Sequence, residues 1–360
     1  DRFSLSDLNE YEYSNNGVSA TVGHTFGKSI RGEFSVIGSQ YTFSTIDKQD
    51  ENKAYSHNYK IEHYEIRADF NQSISDRNTL EYGIGTVLYK LDRGTVDPYG
   101  DNSLRQEVEL GKEKALESSL YISDSYDVLP WLNLTVGGRF TMFTPMGPKT
   151  VYEYAPDLPK EPRNITDTLY FDENKAIKRY NEPDVRVSMN FKTDDAGSIK
   201  LAFNQMHQNL FMLSTTTAIA PNTQWKLADY HLAPSKSNQY SAGVFRTLAK
   251  FGIETSAELF YKQTTNYPEF KDGANFLNTP NVETSVLQGD QRAYGIELYV
   301  KRSLRKLEGW ISYTYSRSLI KVDGEHAWDQ INNGKEYPAN YDIPHSLNVV
   351  LSYHPNRRLT

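Results

Sequence analysis

The chain has 360 residues, of which 38% are hydrophobic, a formal net charge of −7 and no cysteine. That length allows a sizeable core, the acidic balance argues against a nucleic-acid partner, and the missing thiols exclude disulfides, thiolate metal sites and cysteine nucleophiles. No run of about 18 apolar residues exists, so no helix crosses a membrane, but the 13% aromatic content, with 26 tyrosines, keeps a transmembrane β-barrel open, because barrels alternate apolar and polar residues and look hydrophilic on average.

Taken in order, the chain alternates almost throughout. Val18, Ala20, Val22 and Phe26 interleave with Ser19, Thr21, Gly23 and Thr25; across a GKS turn, Phe34 and Val36 interleave with Glu33 and Ser35. Successive side chains of a strand point to opposite faces, so a period of two predicts strands with one apolar and one polar face. Tyr64 to Phe70, Leu80 to Leu88, Leu116 to Ile122 and Leu132 to Phe140 repeat the pattern. In the second half it returns at Val185 to Phe191, Ile199 to Phe203, Tyr240 to Val244 and Ile253 to Tyr261. The clearest hairpin is Gln291 to Ser318: Tyr294, Ile296, Leu298 and Val300 share a face, as do Ile311, Tyr313 and Tyr315. Leu347 to Tyr353 is the last strand. The total is about 13 strands, each near the length a tilted strand needs to cross a bilayer.

The connections alternate in length. Short turns fall near residues 28, 75, 129, 195, 250, 304 and 356; long connections fall at about 46–58, 91–113, 144–182, 207–236, 264–291 and 319–344. Short turns at one rim and long loops at the other predict an all-β, antiparallel, up-and-down transmembrane barrel with its long loops extracellular. A soluble sandwich or propeller shares the alternation but not the one-sided loops. Two aromatic girdles are expected, Trp131, Trp310 and Tyr353 near the short turns and Tyr240, Tyr261, Tyr294 and Tyr315 about ten residues away. The polar face, including Glu254, Glu258, Glu297 and Lys301, lines the lumen. An odd count cannot close a bacterial barrel, which takes an even number of strands, so residues 1–360 are expected to be part of a larger one. No secretory signal is present and Asp1 is not an initiator Met, which fits a mature chain or a fragment.

No HExxH, no GxSxG before a helix and no GxxxxGK[ST] occurs, so neither catalysis nor a cofactor is expected. Glu254 and Glu258 share a face as a catalytic pair would, but a solvated barrel wall accounts for them better. His63 with Glu65 lacks a third ligand, and no metal site is expected. The candidate functional residues are aromatic and hydrogen-bonding groups on the long loops: His207, Asn209, Phe211, Trp225 and Tyr230 on one, Tyr267, Phe270 and Phe276 on another. Together they suit a ligand vestibule at the barrel mouth; packing of the loops on one another would use the same aromatics.

Five segments carry a family resemblance: HQNLFMLSTTTAIAPNTQWKLAD (His207 to Asp229), SNQYSAGVFR (Ser237 to Arg246), ELFYKQTTNYPEFKDG (Glu258 to Gly273), AYGIELYVKRSLRKLEGWISYTYSRS (Ala293 to Ser318) and YPANYDIPHSLNVVLSYHPNRR (Tyr337 to Arg358). Through them the chain resembles the barrel portion of TonB-dependent outer-membrane receptors of the Bacteroidota type. The resemblance implies a 22-stranded barrel occluded by an N-terminal plug. It implies import of a scarce nutrient (metal chelate, vitamin, glycan or peptide) across the outer membrane, powered by the TonB complex. Outer-membrane lipid, a small nutrient ligand and a surface lipoprotein would be the partners. No plug, TonB box or final strands occur in the sequence, and a transport-inactive barrel serving as a scaffold or docking subunit is the alternative. A soluble aromatic-rich β-protein binding carbohydrate is a third reading.

Overall fold

A computed structural model describes residues 9–213, 223–304 and 307–353. The strands are β1 (Glu10–Phe26), β2 (Ile30–Asp47), β3 (Tyr55–Ser75), β4 (Asn78–Asp92), β5 (Thr95–Pro98), β6 (Val108–Glu109) and β7 (Lys112–Leu129). They continue as β8 (Leu132–Met146), β9 (Lys149–Tyr154), β10 (Ile165–Phe171), β11 (Tyr180–Asp194), β12 (Gly197–Gln208), β13 (Leu210–Leu213) and β14 (Gln224–Leu227). The last are β15 (Ser235–Leu248), β16 (Ile253–Phe270), β17 (Val286–Leu304), β18 (Leu307–Lys321), β19 (Tyr337–Pro338) and β20 (His345–Tyr353). The wall is one antiparallel meander of β1, β2, β3, β4, β7, β8, β11, β12, β15, β16, β17, β18 and β20, each strand paired to its neighbours in chain order.

Register turns the alternation into two continuous faces. One row runs Val244, Ala257, Leu298, Tyr313, Leu347 across five strands. The adjacent row runs Gly243, Glu258, Glu297, Thr314, Ser346. On the apolar face Val244, Leu259 and Leu347 stay more than half exposed, at 54%, 55% and 65%. Apolar area of that extent, spread over every wall strand and covered by nothing, belongs against lipid. The polar face is the lumen.

The short turns fall at one rim, where they were predicted. Two residues suffice at Asp76–Arg77, Pro130–Trp131 and Asp195–Ala196. The turn at Ala249–Phe251 ends on Gly252, whose φ of +57° suits a residue without Cβ. The turn near 304 includes residues outside those described, flanked by the Leu304–Leu307 pair; the turn near 356 lies outside them altogether.

Two expectations need correction. The wall strands are longer than one crossing, with 17, 18 and 21 residues in β1, β2 and β3. The expected 46–58 connection therefore shrinks to 48–54, because the β2–β3 ladder continues through Ser44–Asn58 to Asp47–Tyr55. Trp310 is also not on the lipid face. It pairs with Lys301, and its ring lies 6.3 Å from that of Tyr299, on the lumen side with Ser312. Distance from the turn suggested a girdle, but parity decides the face. Trp131 stacks on Phe191 at the rim, and Tyr240, Tyr261, Tyr294, Tyr315 and Tyr353 fall in the apolar rows.

The main buried core is not inside the wall but at its loop end. Phe43, Tyr59, Leu91, Ala115 and Phe143, from the outer ends of wall strands, meet Phe211, Leu213, Leu227 and Ala228 of the β13–β14 ribbon and Phe276, Val282 and Val286.

Candidate ligand-binding site beneath the outer loops

The β13–β14 ribbon makes a roof. The chain leaves the wall at Asn209 and the ribbon closes at Ala228, whose N–H donates to the Asn209 carbonyl at 2.7 Å, before the wall resumes at Ser235. Between them Leu210 pairs with Leu227 and Phe211 with Lys226. Phe211 is 2% and Leu227 1% exposed; burying each contributes about 1.5–3 kcal/mol, enough to hold a short ribbon inward over the lumen.

Two buried cations fix the roof. Arg93 donates to the carbonyls of Leu110, Phe276, Thr279 and Pro280 and to Gln224 Oε1, at 3.1–3.3 Å. It thereby ties two long connections and the ribbon together. Its placement depends on Gly94 (φ +75°), where a Cβ would strike the Asn58 carbonyl oxygen. Lys226 Nζ reaches Asp229 Oδ2 at 2.6 Å, Glu113 Oε1 at 3.0 Å and the Leu227 carbonyl at 2.8 Å. Asp229 also accepts from the N–H groups of His231 and Leu232, and Glu113 from that of Leu227. Burial disfavours both charges, but each outweighs that penalty for the other. Lys226 is raised by Asp229 and Glu113, and Asp229 is held below the usual carboxylate range by Lys226 and Lys149.

Below the roof, on the lumen face, lies a cleft of about 330 Å³. Asn209 Nδ2 donates to Glu182 Oε2 at 3.1 Å and Glu117 Oε2 at 3.3 Å, so the residue that starts the ribbon is anchored on two wall strands. His207 Nδ1 pairs with Asp184 Oδ1 at 2.8 Å. Arg139 donates to Ser119 and Thr141. The cleft holds acceptors, donors and both signs of charge, with no group arranged for bond chemistry. It suits reversible binding.

The eight candidate vestibule residues are distributed unequally. Phe211 and Phe276 are closed inside the core, with Trp225 and Phe270 packed against it. His207 and Asn209 line the cleft. Tyr230 bonds Glu153 and lies 5.6 Å from the Lys178 ammonium; Tyr267 bonds Tyr341. Glu117, Glu182, Asp184 and Arg139 were not singled out as site residues from the sequence, although Glu117 and Arg139 were legible as polar-face positions. Their signal was available, since all four fall on the polar parity, Glu117, Glu182 and Asp184 in the outer part of their strands and Arg139 at the middle of β8. Elsewhere, Glu254 and Lys301 pair across the lumen face at 3.7 Å, and Glu258 faces Glu297. His63 approaches Glu65 at 3.2 Å. Among the described residues, the one group of three ligand-type side chains within 4.8 Å is Asp157, Glu325 and His326, which joins two outer connections and is largely exposed.

A family model described as TonB dependent receptor-like, beta-barrel matches residues 1–360. The chain belongs to this family. TonB-dependent receptors are outer-membrane barrels, and its solved relatives are receptors and transporters rather than enzymes. The ferric yersiniabactin uptake receptor FyuA of Yersinia pestis superposes with a TM-score of 0.65 at 11% identity, over 99% of this chain and 50% of its own. The siderophore receptor PiuA of Acinetobacter baumannii gives 0.64 at 12% identity, over 96% and 53%. The ferric-catecholate import receptor Fiu of E. coli K12 gives 0.62 at 12% identity, over 98% and 53%. The chain of this TonB-dependent receptor thus spans about half the length of these structures. No protein of curated function matches it in sequence.

Proposed function

We propose that this chain is wall and vestibule of an outer-membrane receptor that imports a scarce nutrient (a metal chelate, vitamin, glycan or peptide) by ligand-gated, energy-coupled transport. The observation that carries this reading is the roof. A ribbon pinned by Arg93 and Lys226 folds inward above a polar cleft, an arrangement suited to holding a small ligand at the barrel mouth. Loops serving only as a docking platform would have no need to enclose a cleft. Further strands at the free edges of β1 and β20 complete a larger barrel, and a plug domain in its lumen couples ligand binding to the TonB complex. The chemistry is binding and release, with no bond made or broken. Deletion of the gene followed by growth on single nutrient sources is the test. One nutrient should cease to support growth; unchanged growth on every candidate would refute import and favour a scaffold for other outer-membrane proteins.

A further inference from the structure

Two buried acceptor oxygens in the cleft have no donor. Glu182 is 3% exposed, and only its Oε2 accepts a hydrogen bond; Oε1 has no partner. Asn209 is 8% exposed, and its Oδ1 likewise has none. Both residues line the same cavity, with Glu117 as a second carboxylate on the same Asn209 amide. Buried polar atoms are nearly always satisfied in folded proteins, so orphaned acceptors gathered at a cavity point to a donor that occupies it.

The nearby basic groups do not supply that donor. Arg139 is turned to the hydroxyls of Ser119 and Thr141, and His207 is engaged by Asp184. Among the described residues neither Glu117 nor Glu182 forms an ion pair. Arg186, Gln208 and Tyr89 also line the cleft, and none of them reaches Glu182 Oε1 or Asn209 Oδ1. Water or a neutral hydroxyl could satisfy one oxygen, but two carboxylates beside the same amide repel one another unless one of them holds a proton or positive charge lies between them, and a cation would relieve both the repulsion and the two orphaned oxygens at once.

We propose that this cleft is a subsite for a cationic donor group, a primary ammonium or a guanidinium, seated on Glu182 and the Asn209 carbonyl oxygen and facing Glu117. At about 330 Å³ the space holds one functional group with its neighbouring methylenes, not a whole large nutrient. The group has two possible sources with one chemistry: a free ligand entering through the outer loops, or a basic side chain from elsewhere in the protein. The inference rests on the reading of the cleft as a ligand vestibule only for the first source.

The test is calorimetric titration of the full-length protein in detergent with n-butylammonium and methylguanidinium, against n-butanol at matched ionic strength. A structure of the same preparation accompanies it. Saturable binding of the cations but not of the alcohol, weakened about tenfold or more in Glu182→Gln, establishes a free-ligand subsite. Glu117→Gln supplies a second, isosteric variant, and heat-modifiable gel mobility confirms that both fold. If the cations fail to bind and the structure shows a Lys or Arg side chain on Glu182 Oε1, the subsite is internal. No cation preference together with no basic group at Glu182 overturns the proposal. Because binding is read directly, a failed nutrient-uptake test leaves a positive result standing.

Discussion

At the scale of single residues, face assignment is the claim most open to test. Leu259 lies in an apolar row between Ala242 and Ile296, while Ser256, three positions earlier, sits opposite Phe245 and Tyr299 on the lumen side. Leu259→Arg should cost roughly 2–4 kcal/mol in a folding titration into lipid, and Ser256→Arg little, because a lumen position keeps its charge in water. Equal costs would refute the face assignment. Trp310 shows why parity is the better guide. Its position near a turn suggested a membrane anchor, yet its even number groups it with Ser312 and Thr314, and the ladder places it opposite Lys301. That information was already present in the alternation. The partners of Arg93 and Lys226 were not. Arg93 bonds residues up to 187 positions away, and nothing in a local pattern distinguishes a loop charge that will be buried from one that will be solvated.

At the scale of elements, the strands were legible because each must show one face to lipid and the other to water, which imposes a strict period of two. The roof was not. Leu210 to Leu213 and Gln224 to Leu227 are only four residues each, too short for periodicity to separate a ribbon from loop. Phe43, Tyr59 and Phe143 fall on the otherwise polar parity of their strands, against the pattern of Phe34, Ile66 and Phe140, and their role as the floor of a core becomes visible only when the loops are in place. The ribbon's ionic anchor predicts a pH profile. Asp229 is held below its ordinary value, so its contribution is present above the unfolded value of about 3.9 and is lost as pH falls through the folded one. Lys226 is raised, so its contribution is complete below about 10.4 and is lost as pH rises through its folded value. His231, in the same segment, is kept neutral by burial, so its contribution is lost as pH falls below the unfolded value of about 6.5; amide-exchange protection of residues 224–232, corrected for intrinsic rates, should be level between about pH 7 and 9 and decline outside that window. A loss of protection within that window would show that the anchor is not what holds the ribbon.

At the scale of the whole molecule, the sequence showed a membrane wall with loops on one side, and the structure adds that those loops close over the lumen. The family match and the solved receptors agree with that architecture, while ligand capture rests on the roof and its cleft. All of it requires that the roofed rim face the outside of the cell and the short turns the inside. These 360 residues hold no cysteine, so single thiols can be placed among them at will. Tyr170, 79% exposed on the β9–β10 hairpin, marks the outer rim, and Asp76 in the β3–β4 turn marks the inner one. A bulky, membrane-impermeant maleimide added to intact cells should label Tyr170→Cys in the full-length protein and leave Asp76→Cys unlabelled until the cells are opened. Labelling of Asp76→Cys on intact cells with Tyr170→Cys protected would contradict the account.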